Sequence, residues 1–589
     1  MHSDGEVKEM MENSQFLDSL RTLVGSRHVL CSPARTRRFS RGYRYGEGKA
    51  LAVVRPASLL EFWKVIQSCV DAGKAVIAQA ANTGLTGGST PFGDDYDRDV
   101  IIISTMRIKS IHLLGEGRQV LCFPGTTLDE LEKTLRPLGR EPHSVIGSSC
   151  LGASVLGGIA NNSGGSLIHR GPAYSELALF AQVGADGRLR LVNHLGIALG
   201  TSPEEILSRL DGKNYQQGDV SWKNLPVASD REYATHVRDV DAPTPARYNA
   251  DHRRLFEASG SAGKIMAFAV RLDTFEAQKN SQVFYIGTND PADLTEIRRT
   301  MLSTFASLPI AAEYIHRDAY DIAERYGKDT FLLVKYLGTA RLPRLFAWKS
   351  RIDECAERLR ILPKNLSDRL LQAASRLFPA HLPKRMTEFR DRYAHHLMIK
   401  VGEDGITETR TYLTQRLESG AASFFECTPE EGSAAFLHRF ATAGAAVRYR
   451  AVHGSDVGGI VALDVALPRN ETRWMETLPA ELDKSVLKKL YYGHFFCHVF
   501  HQDYIVPKNV NWLEVEHAML ALLDARGAKY PAEHNVGHLY TADEIVAEHF
   551  RTLDPCNCFN PGIGQTSKFL RWGDSRPPLG SSPSCETCD

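Results

Sequence analysis

An α+β architecture with more than one domain is predicted for this chain, and three observations predict it. Its 589 residues exceed what one hydrophobic core normally organises. In the first third, short apolar runs of strand length alternate with capped, amphipathic helical stretches. Two glycine-rich loops, at 79–91 and 147–166, punctuate that alternation with a density of small residues that a plain core has no use for.

Composition narrows the partners. Hydrophobic residues make up 43% and charged residues 24%, as in ordinary globular proteins. The formal net charge is zero, so an electrostatic partner has to be met by a local patch. With no run of about eighteen apolar residues, no membrane-spanning helix is expected. The acidic start Met1–Glu6 lacks the apolar core of a secretory signal. Eleven widely spaced cysteines, an odd number, point to reduced thiols; Cys556 and Cys558 suggest a metal pair by spacing, as do Cys585 and Cys588, but the latter lie in a Pro-, Gly- and Ser-rich tail where no zinc is expected.

In order, a helix is predicted over 14–25, an Arg- and Tyr-rich loop over 35–45, and a strand at Val53–Pro56. Ser58 and Glu61 read as a capping box for a helix whose apolar face is Leu59, Phe62, Val65, Ile66 and Cys69. The strand Ala75–Ala78 leads into the first glycine-rich loop, which has Gly84, Gly87 and Gly88 among Asn82, Thr83, Thr86, Ser89 and Thr90. Glycine allows φ > 0 and close backbone approach, and successive exposed N–H groups form a nest for a pyrophosphate. No lysine completes a Walker loop, and Pro91 and Gly93 prevent the helix a Rossmann motif requires. A surface turn between strands is the competing reading. Strands at 100–104 and 120–123 follow, with a second capping box at Thr127 and Glu130. The second loop, Gly147 to Ser166, suits backbone lying flat against a large rigid ligand, so two such loops together favour a dinucleotide.

A second domain is expected to start near 275, with a strand at 282–286 and a helix at 294–306. Residues 338–386 then carry eleven Lys or Arg against four Asp or Glu, interleaved with Leu345, Phe346, Trp348, Leu370, Leu377 and Phe378. A basic, apolar-studded helical segment suits an anionic bilayer surface. A solvated helical face is the alternative, and no nucleic-acid-binding module accompanies the charge. Downstream, Arg390 or Lys400 could pair with a substrate carboxylate. Strand periodicity puts His494 and His498 on one face and His501 on the other, so a bulge or turn is needed to unite His494 with His501. Glu533 and His534 follow a helix predicted over 513–526.

The two loops, with Arg170–Tyr174 and Gly260–Ala267, resemble the FAD domain of the vanillyl-alcohol oxidase (PCMH) type. Ala80–Thr86, Arg140–Ser149 and Asn249–Asp251 further resemble the respiratory, quinone-linked D-lactate dehydrogenases of bacteria, over about 16–568. The resemblance implies a PCMH-type domain over 1–275 and an α/β cap over 276–525, interrupted by a basic membrane-contact insertion at 338–388. It further implies a segment at 526–572 returning to the first domain, and 573–589 reads as a disordered tail. FAD is expected to be noncovalent, since no His or Cys occurs between Gln79 and Pro91. The resemblance implies that Ala80, Ala81, Asn82, Thr83, Gly84, Gly88 and Ser89 hold the pyrophosphate. Gly147, Ser154, Gly164, Ile265 and Ala267 would line the ring and ribityl chain. D-lactate, a membrane quinone and the anionic phospholipid of the inner membrane's cytoplasmic face are the implied partners, with no nucleic acid. The alternative is an FAD-dependent dehydrogenase or oxidase for another D-2-hydroxyacid, such as 2-hydroxyglutarate, with a different electron acceptor.

Related 2-hydroxyacid dehydrogenases carry Gly-His-x-Gly-Asp-Gly-Asn-x-His and Glu-His-Gly-x-Gly motifs. Here His494, His501 and Glu533-His534 keep their places, but Phe-Cys-His-Val and Asn535 depart from them. His494, His501 and Glu533 are suitable ligands for a divalent metal, or equally a hydrogen-bonded polar cleft. His534 is the expected base, because histidine titrates near neutrality.

Overall fold

The computed structural model describes residues 2–144, 152–337, 349, 352, 356, 365–417 and 421–573. The apolar runs of the N-terminal region become β1 (Val29–Leu30), β2 (Ala52–Val54), β3 (Ala75–Gln79) and β4 (Val100–Ser104), in the order β1-β2-β4-β3. β2 and β3 both run parallel to β4. Parallel strands are covered on both faces, which is why Val100–Ser104 is buried at every position. The helix Leu59–Asp71 connects β2 to β3 and buries the predicted apolar stripe. Ser58 accepts from the Glu61 amide at 3.0 Å, while the Glu61 carboxylate takes the Ala57 amide, one residue earlier than a capping box requires. Pro33–Ser40 is helical where a loop was expected, with Pro33 at the first turn, where a missing N–H costs nothing.

The second sheet is antiparallel. It contains β5 (Ile111–Leu114), β6 (Gln119–Cys122), β8 (Ala178–Val183), β9 (Leu189–Asn193) and β10 (Met266–Asp273), ordered β5-β6-β10-β8-β9. β7 (Arg140–Glu141) and β11 (Phe275–Glu276) form a small ribbon beside it. Thr127 and Glu130 make the full capping box that starts the helix Leu128–Leu135.

Beyond it lies a seven-stranded sheet. Its strands are β12 (Ser281–Thr288), β13 (Ala311–His316), β14 (His395–Gly402), β15 (Ser423–Glu426), β16 (Val457–Ala466), β17 (Lys488–His494) and β18 (Val499–Pro507). They are ordered β15-β12-β14-β13-β17-β18-β16. Period-2 alternation gives the sheet two apolar faces, each with its own core. Leu294, Met301, Leu413 and Met519 cover one face. The helices Arg317–Tyr326 and Pro429–Val452 cover the other, through Tyr320, Tyr326, Ala435 and Ala445. After the helix Trp512–Ala525 the chain returns to the first domain, where Val76 N donates to Cys558 O at 2.9 Å and Asn560 N to Val76 O at 2.8 Å.

Within the basic segment, 338–348, 350–351, 353–355 and 357–364 lie outside the described residues. Its described part, the helix Leu366–Ser375 and the turn after it, exposes Leu370 and Phe378 beside Arg369 and Arg376. Leu377 is 88% exposed. Asp368 points inward, accepting from Arg448 Nε at 2.8 Å and Lys349 Nζ at 2.6 Å. Among the described residues, no helix is long and apolar enough to cross a membrane.

Candidate active site

β17 and β18 form a hairpin whose turn is the 3-10 segment Phe495–Cys497, closed by His498 at φ 53°. The turn resets the strand alternation that separates His494 from His501 in the sequence. Their rings now meet edge to face, with 5.5 Å between centroids. His498 is turned away, with Nδ1 2.9 Å from the Pro468 carbonyl.

His494 is held at both nitrogens, Nδ1 by Glu313 Oε1 at 2.6 Å and Nε2 by Glu533 Oε2 at 3.1 Å. Burial alone would lower its pKa, but the two carboxylates outweigh burial and raise it to about 9. Glu533 moves the other way. Burial opposes its charge, yet His494, Arg247 and His501 hold it well below the usual carboxylate range. His501 is kept neutral by burial and by Arg439. Its Nε2 lies 3.9 Å from Glu533 and its Nδ1 3.5 Å from Asp464.

Asp464 links the parts. One of its oxygens accepts the Glu533 and His534 amides at 2.7 and 3.2 Å, and the same oxygen lies 3.7 Å from His534 Nε2. Burial raises its pKa against the pull of His534. One donor atom from each of His494, His501 and Glu533 falls within 4.8 Å of the others, and the same holds for Asp464, His501 and His534. The donor set fits a divalent ion, since Glu313 on Nδ1 fixes the His494 ring in the manner of a carboxylate–histidine–metal relay.

The glycine-rich loops abut this cluster. Gly165 N donates to Glu533 Oε1 at 2.9 Å, and a Cβ on Gly164 would meet that oxygen at 2.7 Å. Arg247 Nη2 pairs with Glu533 at 3.0 Å. Asn535, two residues after Glu533, packs so closely on Gly88 that a Cβ there would meet its side chain at 2.9 Å. Its carbonyl accepts from Thr86 Oγ at 2.7 Å.

Ala80–Gly84, Gly88 and Ser89 form an open loop after β3, pinned by Asn82 (φ 53°), whose amide donates to the Arg41 carbonyl at 2.8 Å. The backbone amides from Asn82 to Ser89 donate to no backbone carbonyl among the described residues. Such a row of free N–H groups is what a pyrophosphate needs, so the loop fits FAD. Ser154 caps the helix Val155–Ala160. Ile265 is buried at the start of β10, where Ala267 sits against Phe180 beside a bulge. Gly147 lies outside the described residues.

The two candidate cations separate. Arg390 is not brought to the cluster, because both arms of its guanidinium are taken by Asp321 at 2.6 Å. Lys400 lies opposite Ala311 while Glu313 lies opposite Met398, so Lys400 shares the sheet face of Glu313. Sequence reasoning missed Glu313, Asp464, Arg247 and Arg439. Glu313 and Asp464 had a signal: each is a lone acid inside an apolar strand, where a charge is rarely buried without a task.

An open amide-lined loop, a second small-residue loop and an acid–base cluster between them define a flavin-dependent oxidoreductase. A family model described as FAD binding domain matches residues 50–192. A structure of p-cresol methylhydroxylase with substrate bound shares the fold, at TM-score 0.55 and 12% identity over 94% of this chain and 97% of that one. A model described as D-lactate dehydrogenase, membrane binding, matches residues 283–572. The quinone-dependent D-lactate dehydrogenase of Escherichia coli is 58% identical, covering 95% of this chain and 98% of its own length. That of Haemophilus influenzae is 55% identical over 96% of this chain and 100% of its own. The chain belongs to the family of quinone-dependent D-lactate dehydrogenases.

Proposed function

We infer that the chain is an FAD-dependent dehydrogenase that oxidises D-lactate to pyruvate and passes the electrons to a quinone, as a peripheral membrane protein. The observation that carries this reading is the run Glu533-His534-Asn535. Its first residue anchors the histidine cluster and its third closes on the amide-lined loop at Gly88. The reacting carbon is thereby confined between them.

FAD, when bound on the two loops, supplies the hydride acceptor. The chain supplies position and proton chemistry. His534 takes the hydroxyl proton at Nε2, and Asp464 at 3.7 Å stabilises the imidazolium that results. Asp464 on its amide and Asn249 on its carbonyl fix the His534 backbone. His494, His501 and Glu533 would hold a divalent ion, which would supply positive charge for the substrate carboxylate, and Lys400, on the same sheet face as Glu313, would add its ammonium to that charge. The exposed basic and apolar face around Arg376 and Leu377 rests on anionic phospholipid at the cytoplasmic side of the inner membrane.

Anaerobic absorbance spectra test the reading. D-lactate is expected to bleach the flavin faster than L-lactate or D-2-hydroxyglutarate, and added quinone to restore the yellow form. Bleaching by D-2-hydroxyglutarate alone would reassign the substrate.

A further inference from the structure

On the other side of Glu313 from His494, the fold buries a second cluster of polar rings that the reaction above does not use. Tyr285 Oη, Tyr320 Oη, His381 Nε2 and both ring nitrogens of His396 and His438 are buried without a hydrogen-bond partner. Backbone carbonyls of Tyr320 and Tyr393 approach the His438 and His396 rings, and Thr387 approaches Tyr320, outside hydrogen-bonding geometry. The rings form one group. Tyr320 lies 4.2 Å from His438 and 5.6 Å from His396, and His381 lies 6.4 Å from His438, centroid to centroid. A folded chain rarely leaves so many buried donors and acceptors unmet unless something else meets them.

The cluster has two neighbours. Outward, His381 stacks edge-on against Phe331 at 4.7 Å and follows Phe378 by three residues. Phe378, Leu377 and Tyr336 are exposed apolar side chains, and the first two lie on the part of the chain that carries the basic membrane face. Inward, His438 precedes Arg439, which pairs with Glu313 at 2.7 Å, the carboxylate that holds His494. His396 is opposite Ile315, and Glu313 is opposite His494. Two strand spacings and two residues therefore separate His396 from His494, on the order of 12 Å along the backbone.

We propose that Tyr320, His381, His396 and His438 form the docking site for the quinone headgroup, entered from the bilayer past Phe378 and Phe331. The proposal rests on the reading that a quinone is the electron acceptor. The chemistry matches on each point. Burial, with neighbouring histidines adding to it, drives His396 and His438 to about 3, and burial with Lys328 drives His381 to about 4, so all three rings are neutral. A neutral imidazole offers one donor and one acceptor, and a tyrosine hydroxyl offers both. A quinone brings two carbonyl acceptors at opposite ends of a flat apolar ring, and its quinol brings two donors, so the same residues serve substrate and product. The aromatic walls suit the ring, and the exposed apolar side chains suit the isoprenoid tail.

Stopped-flow measurements on the holoenzyme separate this site from the lactate site, with a short-chain benzoquinone as the probe. In His438→Leu and Tyr320→Phe, flavin reduction by D-lactate should stay within about twofold of wild type. Reoxidation of the reduced flavin by the quinone should slow at least tenfold. An azido-benzoquinone photolabel on the wild-type enzyme should mark peptides within 317–331, 381–396 or 429–452, which keeps the test decisive if a variant fails to fold. Unchanged reoxidation in both variants, or wild-type label confined to other peptides, overturns the site. A wild-type reduced flavin that quinone does not oxidise at all overturns the acceptor reading, and the site with it.

Discussion

Our reading of His534 as the general base rests on its neighbours, which explain why a base at that point can work. The Asp464 carboxylate lies 3.7 Å from Nε2 and also pins the backbone through the His534 amide. Positioned bases contribute about 10²–10⁴-fold. His534→Ala should therefore slow anaerobic flavin reduction by that factor while FAD stays bound, as read by stopped-flow absorbance and by flavin content after gel filtration. Near-normal single-turnover reduction would remove His534 from the role. The neighbouring triad makes a separate claim. If His494, His501 and Glu533 hold a divalent ion, His501→Ala should lose it, measured by elemental analysis of dialysed protein, and chelation of wild type should raise KM for lactate more than it alters flavin content. These residues were legible in the sequence because the histidine spacing and the Glu-His pair survive. Arg247 was not, because nothing local marks an arginine that reaches Glu533 across 286 positions.

Elements were legible where local chemistry decides them. Thr127 and Glu130 built their capping box, and the 3.6 period from Leu59 to Cys69 built the helix it predicts. Pro33–Ser40 was misread as a loop because its arginines hide the helical pattern, although Pro33 was a start signal. The helix Leu366–Ser375 matters most for the membrane. Deleting the basic segment outright would remove Asp368, strip the buried Arg448 guanidinium of the partner on its Nε and leave it with Asp329 alone. A surface change is the cleaner experiment. Each cation near an anionic leaflet is worth about 1 kcal/mol, so Arg376→Glu combined with Leu377→Ser should weaken binding to anionic vesicles by at least about tenfold. Lactate-dependent dye reduction in solution should be unaffected. Undiminished sedimentation with the vesicles would remove this face from the membrane contact.

At the scale of the whole molecule, the alternation of strands and helices predicted the class, but the order β15-β12-β14-β13-β17-β18-β16 had no local signal. It is set by which faces find an apolar partner, and the two cores of that sheet draw on residues from Ile168 to Ala532 and from Tyr285 to Ile505. Folding of both domains buries many histidines, and this gives the fold a pH limit. Burial, aided by Lys213, lowers His112 to about 4, and burial with Arg170 does the same for His143. His396 and His438 fall to about 3 through burial and neighbouring histidines. In the unfolded chain each returns to about 6.5. Below that value the unfolded state binds protons that the folded state refuses, so stability is complete above about pH 6.5 and declines as the pH falls towards 4. Each histidine steepens the decline by up to about 1.4 kcal/mol per pH unit. Thermal melts should thus show a Tm that drops steeply from pH 7 to pH 5. In His112→Phe the drop should be shallower, because an apolar ring there has no proton to gain. A Tm as high at pH 5 as at pH 7.5 would mean that these rings already find partners for the charged form.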